Sequence, residues 1–231
     1  HVFTDQPDFC KKVEESAKNV EVRIHQIRPL VWPEATLLKY ETINNAKELI
    51  NAEIVVHIDA DSVICEDLSS SFLNRNWQNG VALVSHPGFW RPKGIKLMRF
   101  YFLNISFLIK DLYKTLKIGG LGTWDINPIS TAYVARSRRK KYVCGGIWMG
   151  EKAPLFRMME ELSQQTKTNL DNGIQAKWFD ESHLNNWAAF NESTVLTPNF
   201  CFAQEYKNLE GFMPSIIAVD KKLIFPPEEY S

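Results

Sequence analysis

The chain has 231 residues, is 45% hydrophobic, and balances 27 basic against 27 acidic side chains for a formal net charge of zero. That length suits one globular domain, 1–231, with a sizeable core, and disfavours two small ones. With no overall basic excess, nothing in the net charge draws the chain to nucleic acid or to an acidic membrane.

The cysteines, Cys10, Cys65, Cys144 and Cys201, form no Cys-x-x-Cys pair and no dense disulfide framework, which leaves the redox compartment open. Asn104-Ile-Ser106 and Asn191-Glu-Ser193 have the pattern of N-glycosylation acceptors. The chain opens on His1 and reads as a fragment without a signal peptide. Its most apolar stretch, Phe100 to Ile109, is too short to span a bilayer and contains Asn104 and Ser106. Any membrane anchor is therefore expected upstream of these residues.

Strand-like and helix-like segments alternate, which predicts an α/β fold. Val20, Val22, Ile24 and Gln26 carry the alternation of a half-buried strand over 20–27. Leu37, Tyr40, Ile43, Ala46 and Ile50 are close to helical spacing and predict a helix over 37–50. Ile54 to Ile58 is a continuous β-rich run, as expected of a buried central strand. Val81 to Val84 is a second short strand, and Tyr142-Val143 a third that leads into Gly145-Gly146. Pro154 suits a helix's first turn, with Leu155, Met158, Met159 and Leu162 as its apolar face. Asp180 to Phe190 reads as a helix with two acids at its start, and the Pro-rich tail from Leu223 as irregular.

Two constellations carry chemistry. Asp59-Ala60-Asp61 follows the apolar run, and open α/β sheets bind ligands beyond the carboxyl ends of their strands. Residues two apart in extended chain point the same way, so both carboxylates can reach one site. Two hard oxygen ligands suit Mn²⁺ or Mg²⁺ bridging protein to substrate phosphates. A loop or capping Asp-x-Asp is the competing reading. The second constellation is Trp178 to Asn185. The helix macrodipole predicts that Glu181 stays ionised, as a nucleophile or as a stabiliser of an oxocarbenium-like sugar. Trp178 offers a face for a sugar ring. Simple capping, with Asp180 as N-cap, is the alternative. Metal ligation by Asp180, Glu181 and His183 matches no standard spacing.

These segments, taken in order, resemble glycosyltransferase family 6, which holds α1,3-galactosyltransferases, histo-blood-group A and B transferases and Forssman-type N-acetylgalactosaminyltransferases. The resemblance runs through Phe3-Thr4-Asp5-Gln6-Pro7, Asp59-Ala60-Asp61, His86-Pro87-Gly88-Phe89-Trp90 and Thr123-Trp124-Asp125 with Pro128, Ser130, Ala132 and Tyr133. It continues through Gly145-Gly146, Asn172-Gly173-Ile174 and Trp178 to Asn185. It implies a GT-A fold, a Rossmann-like mixed sheet flanked by helices, and Mn-dependent, retaining transfer of GalNAc or Gal from UDP-GalNAc or UDP-Gal to the 3-OH of a galactoside glycan or glycolipid. One Mn²⁺ would bridge Asp59, Asp61 and the diphosphate. Glu181 would be the catalytic carboxylate, placed also against the acceptor. The donor would meet Lys39, Cys144, Gly145, Gly146, Asp180 and Lys221. The acceptor would meet His86, Thr123 and Trp178. Glycines at 145 and 146 would leave room for an N-acetyl group. Aspartates at the metal site, where bacterial relatives carry asparagines, point to an animal-type catalytic domain in the Golgi lumen, belonging to a type II membrane protein.

Four departures from that family stand out. Its first strand and uracil-binding residues would lie before His1. Ala203 replaces an acceptor-binding aspartate. Arg91 to Gly122 is an insertion, read as an exposed embellishment over a lid or partner surface. The tail after Lys222 lacks the family's basic ending. A catalytically weak or inactive sugar- or nucleotide-binding domain of the same fold is thus the alternative. The basic run Arg136 to Lys141 reads as a solvated loop.

Overall fold

The computed structural model describes residues 1–17, 20–68, 76–203, 206, 209 and 212–219. The architecture is mixed α/β in one domain. Its main sheet has four strands: β3 (Ile54–Ile58), β5 (Val81–Ser85), β6 (Val143–Glu151) and β7 (Thr194–Leu196). They run in the order β3-β6-β5-β7, with β6 antiparallel to both neighbours and β5 parallel to β7. Two small pairs flank it. β1 (Val2–Thr4) and β2 (Ile24–Gln26) are parallel, joined by α1 (Pro7–Ser16). β4 (Ser62–Ile64) and β8 (Ile216–Ala218) are antiparallel.

The apolar run in β5 is continuous because both faces of that strand are covered. Val81 and Leu83 join one core cluster, while Ala82 and Val84 join the cluster on the other face. The first cluster is closed by α6 (Lys152–Asp171), which buries Leu155, Phe156, Met158, Met159 and Leu162 as its spacing predicts.

Three expectations change. The helix over 37–50 is broken into α2 (Glu34–Leu37), α3 (Lys39–Asn44) and a 3₁₀ turn at Lys47–Leu49. The strand over 20–27 shrinks to β2, and Val20 is exposed. The run 54–58 forms an edge strand. Among the described residues β3 pairs only with β6, and its five positions are half-buried. Its other edge faces β1 across a cavity of about 840 Å³. The tail from Leu223, and Lys221 with it, lies outside the described residues.

The insertion at 91–122 contains two helices, α4 (Ile95–Leu103) and α5 (Ile105–Lys117), broken at Asn104. Arg91 fastens it through a two-armed ion pair with buried Asp111, at 2.6 and 2.9 Å. At its far end Arg139 donates to the carbonyls of Val134 and Ile118.

Candidate active site

Three elements meet at one lysine. α3 opens on Lys39, β3 ends one residue before Asp59, and α7 (Phe179–Phe190) carries Asp180 in its first turn. The Lys39 Nζ lies 3.1 Å from Oδ1 of Asp59 and 2.8 Å from Oδ2 of Asp180. Burial opposes the ammonium charge, but the two carboxylates outweigh it and hold Lys39 above the ordinary lysine range. For Asp180 burial wins over Lys39 and the carboxyl is pushed up. Burial also pushes on Asp59, yet His57 and Lys39 together bring it below its ordinary value. His57 Nε2 sits 3.0 Å from Oδ1 of Asp59, and its ring stacks on Trp148 at 4.4 Å. Burial lowers the His57 pKa, which favours a neutral ring that donates through Nε2–H.

Glu181 follows directly. Its Oε1 accepts a 2.8 Å hydrogen bond from Tyr142 Oη, and its Oε2 accepts from the Gly145 amide at 3.0 Å. Thr123 Oγ1 in turn donates to Tyr142 Oη at 2.8 Å. The macrodipole does not decide the charge of Glu181. Burial dominates and pushes it up to about 7, against the hydrogen bonds that favour the carboxylate. Capping by Asp180 is also excluded, since Trp178 occupies the N-cap and Asp180 is turned to Lys39. Phe179, between them, holds φ 43°, a left-handed conformation that a bulky residue adopts only under constraint. Asn185 fixes the helix to β6 by accepting from Val143 N and donating to Val143 O, both at 2.8 Å.

The glycines belong to a bulge in β6, where no tight turn exists. Leu83 pairs with Trp148 but Ser85 with Val143, so two steps of β5 match five of β6 across Cys144–Ile147. A Cβ on Gly145 would stand 3.1 Å from Cβ of Glu181, and one on Gly146 would stand 2.9 Å from Oδ2 of Asp59. The space beside both glycines is therefore filled by the site's own carboxylates, which accounts for them without an N-acetyl group. Gly146→Ala should push Asp59 away from Lys39. The expected result is a loss of about 1–3 kcal/mol in unfolding free energy, read by urea titration.

Around Tyr142 the structure gathers more of the expected residues. His86 meets its ring edge-on at 5.6 Å. Burial, with Lys114 nearby, lowers His86 to about 4. Its Nδ1 accepts from the Gly88 amide at 3.1 Å, so the neutral ring keeps a donor at Nε2. Trp178 is 49% exposed at the mouth of α7, which leaves an indole face open. Cys144, by contrast, is buried in the core with Cys201 and Phe200. Ala203 is buried. His183 is fully buried with Asp125 as its charged neighbour and a pKa lowered to about 4, away from the Lys39 cluster.

Asp59 and Asp61 flank a turn that starts β4, so strand alternation does not aim their side chains. The Asp61 carbonyl accepts from Val219 N at 2.8 Å. Among the described residues no three His, Cys, Asp or Glu side chains converge as a metal site. The hard carboxylates of Asp59 and Asp61, with Asp59 held below its ordinary pKa, are the residues that would fit a divalent cation. Sequence reasoning missed His57 and Tyr142. The placement of His57 two residues before Asp59 in an extended strand was the available signal.

Residues 120–221 match the model of Glycosyltransferase family 6. Over these residues, less than half of its length, the chain is similar to glycosyltransferase family 6. It is 25% identical over 230 residues to the rat Histo-blood group ABO system transferase 1, covering 96% of this chain and 57% of that one. It is 24% identical over 203 residues to the human Globoside alpha-1,3-N-acetylgalactosaminyltransferase 1, covering 87% and 50%. It is 22% identical over 208 residues to the O-antigen biosynthesis glycosyltransferase WbnI of Escherichia coli, covering 89% and 74%. The chain thus spans about half the length of its animal relatives.

Proposed function

We propose that this chain is the catalytic part of a retaining hexosyltransferase that moves GalNAc or Gal from a UDP-sugar to the 3-OH of a galactoside. The observation that carries the reading is the Lys39–Asp59–Asp180 cluster beside a buried, doubly hydrogen-bonded Glu181. Asp59 and Asp61 would hold one Mn²⁺, which supplies charge for the departing diphosphate. Lys39 helps hold Asp59 ionised and aligns Asp180. Asp180 and Lys39 line the donor sugar. The bulged backbone at Gly145 and Gly146 lets β6 approach it, and Cys144 contributes only through that backbone.

Glu181 faces the anomeric carbon. Its high pKa marks a poorly stabilised carboxylate, which is the more reactive as a nucleophile. Tyr142 and the Gly145 amide fix both its oxygens, so it attacks, or shields one face of the oxocarbenium-like sugar, without reorienting. The bond from C1 to the UDP oxygen breaks and its electron pair leaves with the diphosphate. The acceptor oxygen then bonds to C1, any C1–Glu181 bond breaks with its electron pair returning to the carboxylate, and the acceptor's proton passes to the departing diphosphate. Trp178 stacks the acceptor ring, with the His86 Nε2 donor and the Thr123 hydroxyl oxygen, as acceptor, around it. Lys221 would close over the diphosphate. The human globoside relative is an N-acetylgalactosaminyltransferase by name, which supports that donor, while the crowding at Gly145 and Gly146 removes the steric argument for it.

The same reading places the chain in the Golgi lumen, with its anchor outside these residues. No helix among the described residues is long and apolar enough to cross a membrane. Donor hydrolysis should require Mn²⁺ and vanish with EDTA. Release of UDP that is indifferent to chelation would remove the metal role from Asp59 and Asp61. A binding-only domain is favoured if UDP-sugar binds by calorimetry yet no hydrolysis or transfer follows.

A further inference from the structure

Charge and apolar surface are segregated onto the insertion, although the chain as a whole is neutral. On α5, Ile105, Ile109, Leu112, Tyr113 and Leu116 are all more than half exposed and repeat at helical spacing. They form an apolar stripe that points away from the core. The opposite face carries Asp111, buried against Arg91. α4 adds Ile95, Met98 and Phe102, exposed by 76%, 68% and 87%. A surface helix of a globular protein normally turns its apolar stripe inward. Here the inward side holds Asp111 under the Arg91 clamp beside half-buried Phe107 and Leu108, and the outward side carries a second apolar stripe that no described residue covers.

The flanks are basic. Lys93, Lys96, Arg99, Lys140 and Lys141 line a cavity of about 1120 Å³ between the hairpin and the sheet, and no carboxylate is among its described lining residues. Lys110 lies exposed on α5. Within 91–117 the one acidic residue is Asp111, already paired.

We propose that the α4–α5 hairpin is an interfacial docking element that seats this protein on an anionic lipid bilayer. Helices of nine and thirteen residues are too short to cross a bilayer. An apolar stripe flanked by Lys and Arg suits a helix lying in the interface, its apolar side among acyl chains and its cations at lipid phosphates. A second copy is disfavoured as occupant. A two-fold contact through this face would bring Lys96, Arg99 and Lys110 of both copies together. Lys114 ties the hairpin to the body, its Nζ 4.2 Å from the ring centroid of Phe89, three residues after His86. Docking would therefore set the Tyr142 side of the candidate site near the lipid surface, in place of membrane contact only through an outside anchor.

Cosedimentation of the 231-residue chain with vesicles tests this. Phosphatidylcholine vesicles are compared with vesicles of about three parts phosphatidylcholine to one of phosphatidylserine. Binding is expected to the anionic vesicles only and to fall as salt rises. Lys96→Glu with Arg99→Glu should weaken it about fivefold per cation lost. Ile109→Glu with Leu116→Glu should weaken it more than about tenfold, since both side chains leave the acyl region. All four positions are exposed, so thermal unfolding should not move; a variant that unfolds early is replaced by Leu116→Ser alone. Equal binding to neutral vesicles, no binding to either, or indifference to both double variants would overturn the proposal. So would concentration-dependent dimers abolished by the same variants without vesicle binding. None of these readouts depends on sugar transfer.

Discussion

Glu181→Gln is expected to cost transfer on the order of 10³-fold and, above neutral pH, to make the chain more stable. Both effects have one cause. Burial raises Glu181 from 4.5 to about 7 in the folded chain. Between those values the folded state holds a proton that the unfolded state has released, so stability falls as pH rises through that window. Above 7 the ionised, buried carboxylate costs roughly 3–4 kcal/mol. Glutamine has no charge to desolvate and carries no such slope. Melting curves should therefore nearly coincide at pH 4 and separate by roughly 10 °C at pH 8, with the variant higher. Parallel pH profiles would mean that Glu181 is solvated in solution. The wild-type kcat/KM should fall about tenfold per unit below pH 7, because the free enzyme needs the carboxylate ionised.

What the sequence revealed follows from the range over which its signals act. The apolar face of α6 and the burial of β5 were legible because periodicity and β-branched content are local. The position of β3 was not. Ile54–Ile58 reads the same in the middle of a sheet or beside a cavity, since composition does not record the neighbouring strand. The motifs found Asp59 and Glu181 but not their chemistry. Tyr142 lies 39 residues from Glu181, and Lys39 finds Asp180 from the other end of the chain. Burial, which reverses the macrodipole argument at Glu181, exists only once these segments meet. Only the structure showed that the apolar stripe of the insertion faces outward, because the Arg91–Asp111 clamp that turns it spans 20 residues.

Lys39→Ala should be the most destabilising single change at the site, by about 3–5 kcal/mol, because it leaves Asp59 and Asp180 buried without their cation. The pH dependence has a defined sign. The Lys39 pKa is raised on folding, so its contribution is complete below the unfolded lysine value and fades only as pH climbs through the folded one. In the variant, Asp59 loses part of what holds its pKa down, and Asp180 rises further. Asp180 then binds a proton still more readily in the folded chain than in the unfolded one, and Asp59 does so more readily than in wild type. The stability gap to wild type should accordingly narrow as pH falls from 7 toward 4. A divalent cation offers a second route to the same compensation. If Asp59 is a metal ligand, Mn²⁺ should raise the melting temperature of Lys39→Ala by more than that of wild type, where the ammonium competes for Oδ1. Lys39→Arg keeps the charge and should fall between the two. Failure of Mn²⁺ to move either protein would leave Lys39, and no metal, as the partner of Asp59. The cluster would then be a structural ion pair beneath the site, and the charge on the departing diphosphate would have to be met by Lys39 itself.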